Sequence, residues 1–349
     1  MTDKNYEAWD VKESDYPADG PIEEKLRFLL RYAILAPSGP NTQPWKFSIH
    51  DSSISVFADL DRALQFVDPS NRTLYMSVGC AIANLAVAGA HFGFAPTVIY
   101  FPDGQDSDLV AEVHLLPAGQ RPADGQEDLF FQIQRRHTTK DRYENGTIDP
   151  LILKEIETNT NLTGIYLSYL SDEDARERIT DLVSRAHKIQ LARKEFRQNL
   201  GDWLRSNWTN EPDGMPLFTF GVPDAVSLGF PAAFKEFNLS LPVIYRDSGL
   251  IRDCSTLAVL TTDQDDKLAW TMCGFALENL LLRATLYDVR ASFFSQPIGL
   301  PALREELKAQ VNRGHPQIIF SLGFAKPMRP SPRRPLEDVI VRLPYPRLN

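Results

Sequence analysis

The chain contains few cysteines. Cys80, Cys254 and Cys273 are the three among its 349 residues, and each lies far from the others within an apolar run. An odd number of separated cysteines argues against a disulfide framework. Neither they nor the six scattered histidines show the spacing of metal ligands. We therefore predict no metal site and a reducing compartment, the cytoplasm, since the polar, acidic N-terminus also lacks the features of a signal peptide.

Positive charge is also in deficit. The chain has 37 lysines and arginines against 46 aspartates and glutamates, which gives a formal net charge of −9 at pH 7. A general basic surface for nucleic acid is thereby excluded, and any bound anion must be held by a local cluster of cations. The longest apolar run, residues 78–90, contains Asn84 and shows helical periodicity, so it indicates a core helix rather than a membrane span.

Several common catalytic signatures are missing. No G-x-G-x-x-G follows a strand-like run, and no G-x-x-x-x-G-K-[ST] or G-x-S-x-G sequence occurs. These absences argue against a Rossmann dinucleotide site, a P-loop and the nucleophile elbow of a hydrolase. What remains is a globular composition, 43% hydrophobic and 24% charged, in a chain long enough for two domains.

Hydrophobic periodicity and turn residues predict the secondary structure of two halves. The first half is predicted to contain helices at residues 21–36 and 74–91 and strands at 46–49, 54–58, 97–101 and 111–116. A run rich in proline, glycine and glutamine at 117–127 is interpreted as a linker. The second half is predicted to contain helices at 150–158, 172–207 and 266–287 and strands at 255–262 and 318–324, with no clear period at 208–253.

The two halves share a repeated segment. With an offset of 195 residues, GCAIANLAVAGAHFGF aligns with GFALENLLLRATLYDV. The identical pairs are Gly79/Gly274, Ala81/Ala276, Asn84/Asn279 and Leu85/Leu280. Chance similarity between two apolar core helices is the alternative. The neighbouring predicted elements also follow the same order in both halves, which favours duplication.

The first of three local features is the loop at residues 37–45, PSGPNTQPW, called the first-half loop below. Its prolines stiffen it, and its small and polar residues suit a close approach to the edge of a planar ligand. Its candidate binding residues are Pro37, Ser38, Gly39, Asn41 and Gln43. An ordinary turn after the preceding helix is the alternative interpretation.

The second feature is the basic motif at residues 135–140, RRHTTK. In an extended segment alternate side chains share a face, so Arg136, Thr138 and Lys140 would present a guanidinium, a hydroxyl and an ammonium together. Arginine can bind phosphate through two parallel hydrogen bonds, and lysine acts as a point charge. These three side chains therefore suit a ligand that combines a phosphorylated polyol with an electron-rich ring. A solvated basic linker is the alternative.

The third feature is the arginine tail at residues 329–336, RPSPRRPL. In a net acidic chain its three arginines form a local cation cluster, and Arg333 and Arg334 are the candidates for binding an anion. A frayed basic tail is the alternative, and the prolines weigh against it because they reduce the entropy lost on ordering.

In this order, these features resemble the FMN-dependent nitroreductase family. The basic motif is similar to the family's R-x-S/T-x-K/R sequence, which holds the FMN phosphate, the ribityl chain and the O2 side of the ring. The first-half loop is similar to P-S-x-x-N-x-Q-P-W, which reaches the same FMN from the other subunit of a dimer. Arg333 and Arg334 resemble the family's C-terminal basic residues at the phosphate.

The resemblance adds a fourth segment, SQPIG at residues 295–299, called the glutamine loop below. It follows the second long helix, where the family places a loop against flavin N5. The resemblance makes candidate binding residues of Gln296, Pro297, Ile298 and Gly299.

The family resemblance implies an α+β fold. We expect a nitroreductase-like fold duplicated in one chain, with two mixed or antiparallel sheets flanked by helices and long central helices at a pseudo-dimer interface. The halves are placed at residues 1–125 and 126–349. An insert at 193–253, to which the resemblance does not extend, is interpreted as a lid over the site.

The order of the motifs implies one flavin site per chain. A family dimer has two sites, each built from both subunits, and the second site here would need a basic motif before residue 21 and a P-S-x-x-N loop after residue 158. Neither is present. The chain therefore resembles the tandem, single-chain pseudo-dimer branch of the family, of flavin-sequestering type, and is expected to be a monomer.

Two functions follow from the resemblance. The first is an FMN-dependent NAD(P)H oxidoreductase of nitroreductase type, with ping-pong hydride transfer through flavin N5 to a nitroaromatic or quinone-like acceptor. No catalytic side chain is assigned; Lys140 would stabilise charge at N1/O2, and a backbone N–H near Ile298 or Gly299 would bond N5. The second is a flavin-sequestering protein with little turnover, in which the aromatic-rich insert closes over FMN. Those aromatics would otherwise complete the core of the second half.

Overall fold

The structure, a computed structural model, describes residues 4–118, 127–160, 162–170, 172–311 and 313–342. Most of the predicted linker, and with it the predicted boundary at 125/126, lies outside the described residues. The described ranges contain two four-stranded antiparallel sheets, and each sheet packs against one long helix.

The elements of the first half follow its sequence pattern. Helix α1 buries residues at helical spacing and ends ahead of Pro37, which disfavours helical backbone in the residue before it. The β1–β2 hairpin turns at Asp51, whose φ of 48° lies in the left-handed region that aspartate tolerates. The elements are α1 (Ile22–Ala33), β1 (Trp45–His50), β2 (Ser53–Ala58), α2 (Arg72–His91), β3 (Phe94–Tyr100) and β4 (Leu109–Pro117).

The second half repeats this set with additions. Its elements are α3 (Glu127–Phe130), α4 (Gln132–Arg135), α5 (Pro150–Thr160), β5 (Ile165–Leu170), α6 (Glu173–Ala192), α7 (Lys194–Gly201), β6 (Leu204–Arg205), β7 (Met215–Pro216), α8 (Asp224–Ser227), α9 (Phe230–Glu236), α10 (Ser240–Asp253), β8 (Thr256–Thr262), α11 (Lys267–Leu286), β9 (Val289–Phe293), α12 (Pro301–Lys308) and β10 (His315–Phe324).

The two sheets have the same topology. Their strand orders are β1-β2-β4-β3 and β5-β8-β10-β9, and in both the long helix connects the second strand to the third. All neighbouring strands in both sheets are antiparallel. The duplicated α+β fold predicted from the sequence is confirmed.

The long helices α2 and α11 cross where the repeat aligns its two glycines. A Cβ atom on Gly79 would overlap the carbonyl of Thr271, and one on Gly274 would overlap the carbonyl of Met76. Each of these carbonyls lies three residues before the glycine of its own helix, so the two contacts are equivalent by symmetry. Beside the crossing, Cys80 Sγ donates to the Gly274 carbonyl at 3.2 Å. Glycine is required here because backbone packs directly on backbone.

Three predictions of secondary structure were wrong or incomplete. The helix predicted at 172–207 is broken at Arg193, whose extended backbone (φ −84°, ψ 123°) separates α6 from α7. Strands β5 and β9 were given no range; β5 is mostly half-buried and β9 carries Arg290, so neither shows the continuous apolar pattern of β8. The segment at 208–253, which lacks a clear period, contains α8, α9 and α10.

The insert at 193–253 divides into two parts. Its last helix, α10, packs against α6 and contributes Leu250 and Ile251 to the second half's own apolar cluster. The preceding part, residues 193–239, forms a separate small cluster together with Leu191 of α6, and we call this part the lid after the role predicted for it. The cluster contains Leu191, Phe196, Leu204, Leu217 and Phe234. The aromatics of the lid therefore do not complete the core of the second half, and Trp208 and Phe237 are exposed.

The end of the described chain crosses from the second half to the first. Phe47 of β1 donates its N–H to the Val339 carbonyl at 2.7 Å and accepts from the Val341 N–H at 2.8 Å. The tail thus lies parallel to the edge strand of the first sheet. Near the chain start, Trp9 Nε1 donates to the Ser331 carbonyl at 2.9 Å. The arginine tail is held at both sides, and the alternative of a frayed tail is wrong.

Helix α2 was predicted to be a core helix rather than a membrane span. Among the described residues it is the one helix whose length and composition would allow a span, and 89% of its most apolar window is buried in the protein. Burial on this scale is typical of the core helix of a soluble domain.

Substituting alanine at the helix crossing should destabilise the fold strongly. Gly79→Ala or Gly274→Ala places a methyl group on the opposing backbone, which cannot move aside, so we expect a loss of roughly 3 kcal/mol in the free energy of unfolding. Denaturant unfolding followed by circular dichroism measures this. Gly249→Ala is the control, because its added methyl meets no atom within 4 Å in helix α10, and it should be neutral or slightly stabilising. Equal stability of all three variants would contradict a backbone-to-backbone crossing.

Candidate functional site

A cavity of about 980 Å³ lies between the two halves and under the lid. Its volume is at the upper end of the range for small-molecule sites. It brings together residues from the first-half loop, the basic motif, the glutamine loop and the arginine tail. The predicted site residues that line it are Pro37, Ser38, Gly39, Asn41, Arg136, Thr138, Lys140, Gln296, Ile298, Gly299 and Arg333.

Three predicted site residues do not line this cavity. Gln43 accepts from the Arg334 N–H through Oε1 at 2.7 Å and donates to the Pro212 carbonyl through Nε2 at 2.9 Å. The Arg334 guanidinium contacts the Gln43 carbonyl at 3.1 Å and Asp59 Oδ2 at 3.3 Å. Pro297 is buried inside its loop. Gln43 and Arg334 connect the first-half loop to the tail, a placement that membership of a motif does not reveal.

The conformation of the first-half loop is held by two serine hydroxyl groups and includes two residues with positive φ. Ser38 Oγ accepts from the Gln43 N–H at 2.9 Å, and Ser77 Oγ accepts from the Gly39 N–H at 3.2 Å. Asn41 and Gln43 both have positive φ, 55° and 51°. Such backbone is uncommon outside glycine and persists where the surrounding contacts fix it. The loop is therefore a rigid wall rather than a simple turn.

Asn41 joins three parts of the site. Its Nδ2 donates to the Gly214 carbonyl of the lid at 2.9 Å and to the Pro332 carbonyl of the tail at 3.1 Å. Its Oδ1 accepts from Arg333 at 3.1 Å. The sequence predicted Asn41 as a ligand-binding group. In the structure its amide already bonds protein atoms, so its part in the site is to join loop, lid and tail.

The basic motif has the alternation predicted from its sequence. Thr139 is fully buried, and its N–H donates to the Ala291 carbonyl of β9 at 2.9 Å. This pairing turns Arg136, Thr138 and Lys140 toward the cavity, which they all line. His137, which was not predicted, lines it as well. The motif is an edge segment of the second sheet and not a solvated linker.

A buried charge cluster lies behind the basic motif. Arg136 Nε is 3.2 Å from Glu278 Oε1, with the two side chains 4% and 0% exposed. Burial raises the pKa of Glu278 to about 7, although Arg136, Arg333 and the Asn84 side chain act to lower it. At the 195-residue offset, Glu278 corresponds to Ala83 of α2. The acid therefore occurs only in the half that carries the basic motif.

Lys140 contributes a positive charge to the cavity wall. Burial and the neighbouring Arg246 lower the pKa of Lys140 to about 8, while Asp247 acts in the opposite direction. No hydrogen bond or ion pair joins it to another residue of the described chain. A half-buried lysine without a protein partner is suited to an anionic or electron-rich ligand.

The arginine tail stacks on aromatic residues. The Arg333 guanidinium lies 4.9 Å from the Trp9 ring centre and donates to the Leu35 and Ala36 carbonyls at 3.0 and 3.2 Å. Arg333 Nε is buried and has no hydrogen-bond partner among the described residues. An uncompensated buried donor is costly, so a ligand acceptor at this point would stabilise the site.

One wall of the cavity is apolar and comes mainly from the lid. Its side chains include Phe196, Met215, Leu217, Phe220, Phe230 and Phe234. The lid is fastened to the first half by the ion pair of Asp213 with Arg62. Within the lid, Asp213 also pairs with Arg205 at 2.7 Å. The N–H of Phe66 also donates to Asn199 Oδ1 at 3.1 Å.

Sequence reasoning missed several polar residues of the cavity wall. His187 and Gln190 lie one turn apart on α6, and Arg246 lies on α10. Gln190 Nε2 donates to the Gln296 carbonyl at 3.1 Å and so braces the glutamine loop. Within that loop the Ile298 N–H already donates to the Ser295 carbonyl at 3.0 Å. The sequence held only a weak signal for His187 and Gln190, namely two polar residues on the apolar face of a predicted helix.

The described residues contain no group of three or more His, Cys, Asp or Glu side chains arranged to hold a metal ion. The cysteines are all free and buried. The polar part of the wall is instead dominated by cations. A set of cations of this kind is suited to an anion or an electron-rich ring.

The chain is similar over most of its length to two proteins of Mycobacterium tuberculosis strain H37Rv. It is 29% identical over 329 residues, 92% of either chain, to the protein named "Putative NAD(P)H nitroreductase Rv3131". It is 24% identical over 325 residues to "Putative NAD(P)H nitroreductase acg", covering 90% of this chain and 94% of that one. No family model matches the chain. These relatives confirm the resemblance to nitroreductases that was recognised in the sequence.

Solved structures of nitroreductases match parts of the chain. The FMN and NADPH-dependent nitroreductase NfnB from Sphigopyxis sp. strain HMH covers 62% of this chain and 99% of its own, with 14% identity and a TM-score of 0.41. A nitroreductase with bound FMN from Desulfitobacterium hafniense DCB-2 covers 62% and 98%, with 12% identity and a TM-score of 0.38.

Glu278 should make stability depend on pH. Its pKa in the folded chain, about 7, lies above its ordinary value of 4.5, so the folded state binds the proton more tightly. The contribution of Glu278 to stability is thus greatest below pH 4.5 and is lost as pH rises through 7. For Glu278→Gln, which cannot titrate, the free energy of unfolding relative to wild type should rise by roughly 3 kcal/mol at most across that window.

Denaturant titrations at several pH values test this dependence. Glu177→Gln, an exposed acid on α6, is the control and should show a constant difference from wild type. A constant difference for Glu278→Gln as well would mean that Glu278 is ionised at all these pH values, as an ordinary ion-pair partner of Arg136.

Proposed function

We propose that this chain is an FMN-dependent NAD(P)H oxidoreductase of nitroreductase type that holds one FMN between its two halves. The observation that carries the proposal is the cavity itself. It gathers Arg136 and Lys140 from the second half, Arg333 from the tail and the first-half loop around one space. The similarity to relatives named NAD(P)H nitroreductase supports the same conclusion.

The phosphate of FMN is assigned to the arginine end of the cavity. Arg136 and Arg333 are both buried there, and the unpartnered Nε of Arg333 provides a donor for a phosphate oxygen. Glu278 balances these guanidinium groups in the free protein. Its elevated pKa allows it to take up a proton when a phosphate assumes that balancing role.

The ring of FMN is assigned to the space between Lys140 and the glutamine loop. Lys140 supplies positive charge for the N1/O2 side, where charge accumulates on reduction. At the other side, Gly299 has no side chain, and a Cβ atom there would meet only Gln190 and Val67. The flavin ring can therefore approach the backbone of Gly299 closely. Bound FMN supplies hydride chemistry, taking two electrons from NAD(P)H and passing them to an acceptor.

The remaining apolar wall suits a flat acceptor such as a nitroaromatic or a quinone. Phe196, Phe230 and Phe234 line this part of the cavity. Aromatic rings of the protein contact planar ligands over a large area. NADH and NADPH are not distinguished by these residues. We also propose a cytoplasmic monomer, because the helix pair that would form a dimer interface is already joined within one chain.

A second function, flavin sequestration, is favoured by the fastened lid. Asp213 of the lid pairs with Arg62 of the first half, and Gln43 and Asn41 bond the lid carbonyls of Pro212 and Gly214. A lid held at this many points would limit the entry of a hydride donor. The two functions therefore differ in the rate at which the lid opens.

The site assignment is tested by titrating apoprotein with FMN. We expect one FMN per chain in a monomeric protein, and Arg136→Ala should weaken binding at least tenfold, since a charge-assisted hydrogen bond contributes about 1.5–3 kcal/mol. Arg135→Ala is the matched control, because that neighbouring arginine is exposed and pairs with Asp288. Flavin absorbance and light scattering give affinity, stoichiometry and mass. Two FMN per chain, or equal affinity in both variants, would refute this site.

The fastening of the lid is tested by Asp213→Ala. Removing its ion pairs with Arg62 and Arg205 should accelerate reduction of bound FMN by NADH or NADPH roughly tenfold, the factor that corresponds to one lost charge-assisted bond. Stopped-flow bleaching of the flavin measures the rate. Asp224→Ala, which loses only the bond from Asn207 within the lid, should match wild type. Rapid bleaching in wild type and no gain in Asp213→Ala would eliminate the sequestration function.

A further inference from the structure

A histidine outside the predicted motifs is held in a fixed orientation on the cavity wall. His187 of α6 lines the cavity, and its Nε2 lies 2.8 Å from Asp247 Oδ2 of α10. The other oxygen of Asp247 accepts from Arg246 Nε and Nη2 at 2.9 and 2.7 Å. His187 and Asp247 are 5% and 1% exposed. This is the arrangement of a carboxylate that orients an imidazole.

The charge of Asp247 determines which nitrogen of His187 is available. Burial acts to raise the pKa of Asp247, but Arg246, the His187 hydrogen bond and Lys140 together lower it to about 2. An ionised carboxylate accepts only, so Nε2 of His187 must donate. Nδ1 has no hydrogen-bond partner among the described residues. Nδ1 is therefore the ring nitrogen left for a ligand in the cavity that His187 lines.

His187 lies between the two places assigned to the edges of the flavin ring. Gln190, one helical turn along the same face, donates to the Gln296 carbonyl of the glutamine loop at 3.1 Å. On the other side, Arg246 and Asp247 both act on the pKa of Lys140. The cavity is also lined by the charged residues Asp68 and Arg72 of the first half and Arg304 and Glu305 of α12, besides the arginines of the basic motif and the tail.

We propose that His187 donates a proton to the acceptor during its reduction and that Asp247 is the positioning residue for this step. The proposal rests on the function proposed above. A quinone that accepts a hydride becomes an anion with one negatively charged oxygen. The Nδ1–H bond of the His187 imidazolium breaks, an O–H bond forms on that oxygen, and the neutral imidazole regains its proton from water. The hydride supplies both electrons, so the product is the neutral hydroquinone.

Two acceptors distinguish proton donation from a general loss of activity. In His187→Gln the amide can still donate to Asp247 but provides no acid, so quinone reduction should fall at least tenfold. Ferricyanide takes electrons without a proton, so the ratio of the quinone rate to the ferricyanide rate should fall by the same factor. His91→Gln is the matched control, since His91 bonds Glu13 at 2.7 Å away from this cavity, and it should change neither rate. Equal falls for both acceptors, or no fall for the quinone, would overturn the proposal.

The orientation of His187 is tested without turnover. The Nε2–H proton bonded to a carboxylate should give a downfield proton NMR signal that His187→Gln and Asp247→Asn both remove while His91→Gln retains it. Absence of this signal in wild type would overturn the positioning role of Asp247. A protein that binds no FMN would overturn the proposed function and this step together, whereas a flavoprotein with unchanged His187 variants would overturn only this step.

Discussion

The contact between α2 and α11 is the constraint on which the remaining structure depends. At Gly79 and Gly274 two helix backbones touch without intervening side chains, which fixes both the distance and the crossing of the helices. Each sheet packs on one of these helices, so the crossing also sets the position of one sheet relative to the other. The first-half loop follows α1, and the basic motif lies at the edge of β9. They meet at one cavity because the helices that carry their halves cannot slide apart.

The duplication is symmetrical in backbone and asymmetrical in charge. Both halves have the same strand order around an equivalent helix, yet Glu278 corresponds to Ala83. A buried acid is tolerated where guanidinium groups compensate it, and Arg136 and Arg333 do so in the second half. Isolated in the first half, the same acid would lack that compensation. The buried charge cluster is thus a feature of one half of an otherwise repeated backbone.

The sequence predicted most of the frame and part of the site, for identifiable reasons. The repeated segment predicted the duplication, and the family resemblance predicted that the two long helices pack against each other. The alternation in residues 136–140 predicted their shared face because an edge segment has a period of two. Gln43 and Arg334 were predicted to line the binding site, whereas they bond each other. The sequence could not show this because the two residues are 291 positions apart. His187 was missed for a different reason. Its partner, Asp247, belongs to a helix whose polar residues obscure the helical periodicity of the sequence.

The arginine tail has a consequence for how the cavity can form. Arg333 belongs to a segment that follows both sheets in the chain, and its N–H donates to the Asn5 carbonyl at 3.0 Å. The residues that follow the arginine tail lie along β1 of the first sheet. The cavity wall is therefore complete only after both halves have folded and the tail has joined the first. Formation of the cavity is thereby coupled to the folding of the whole described chain.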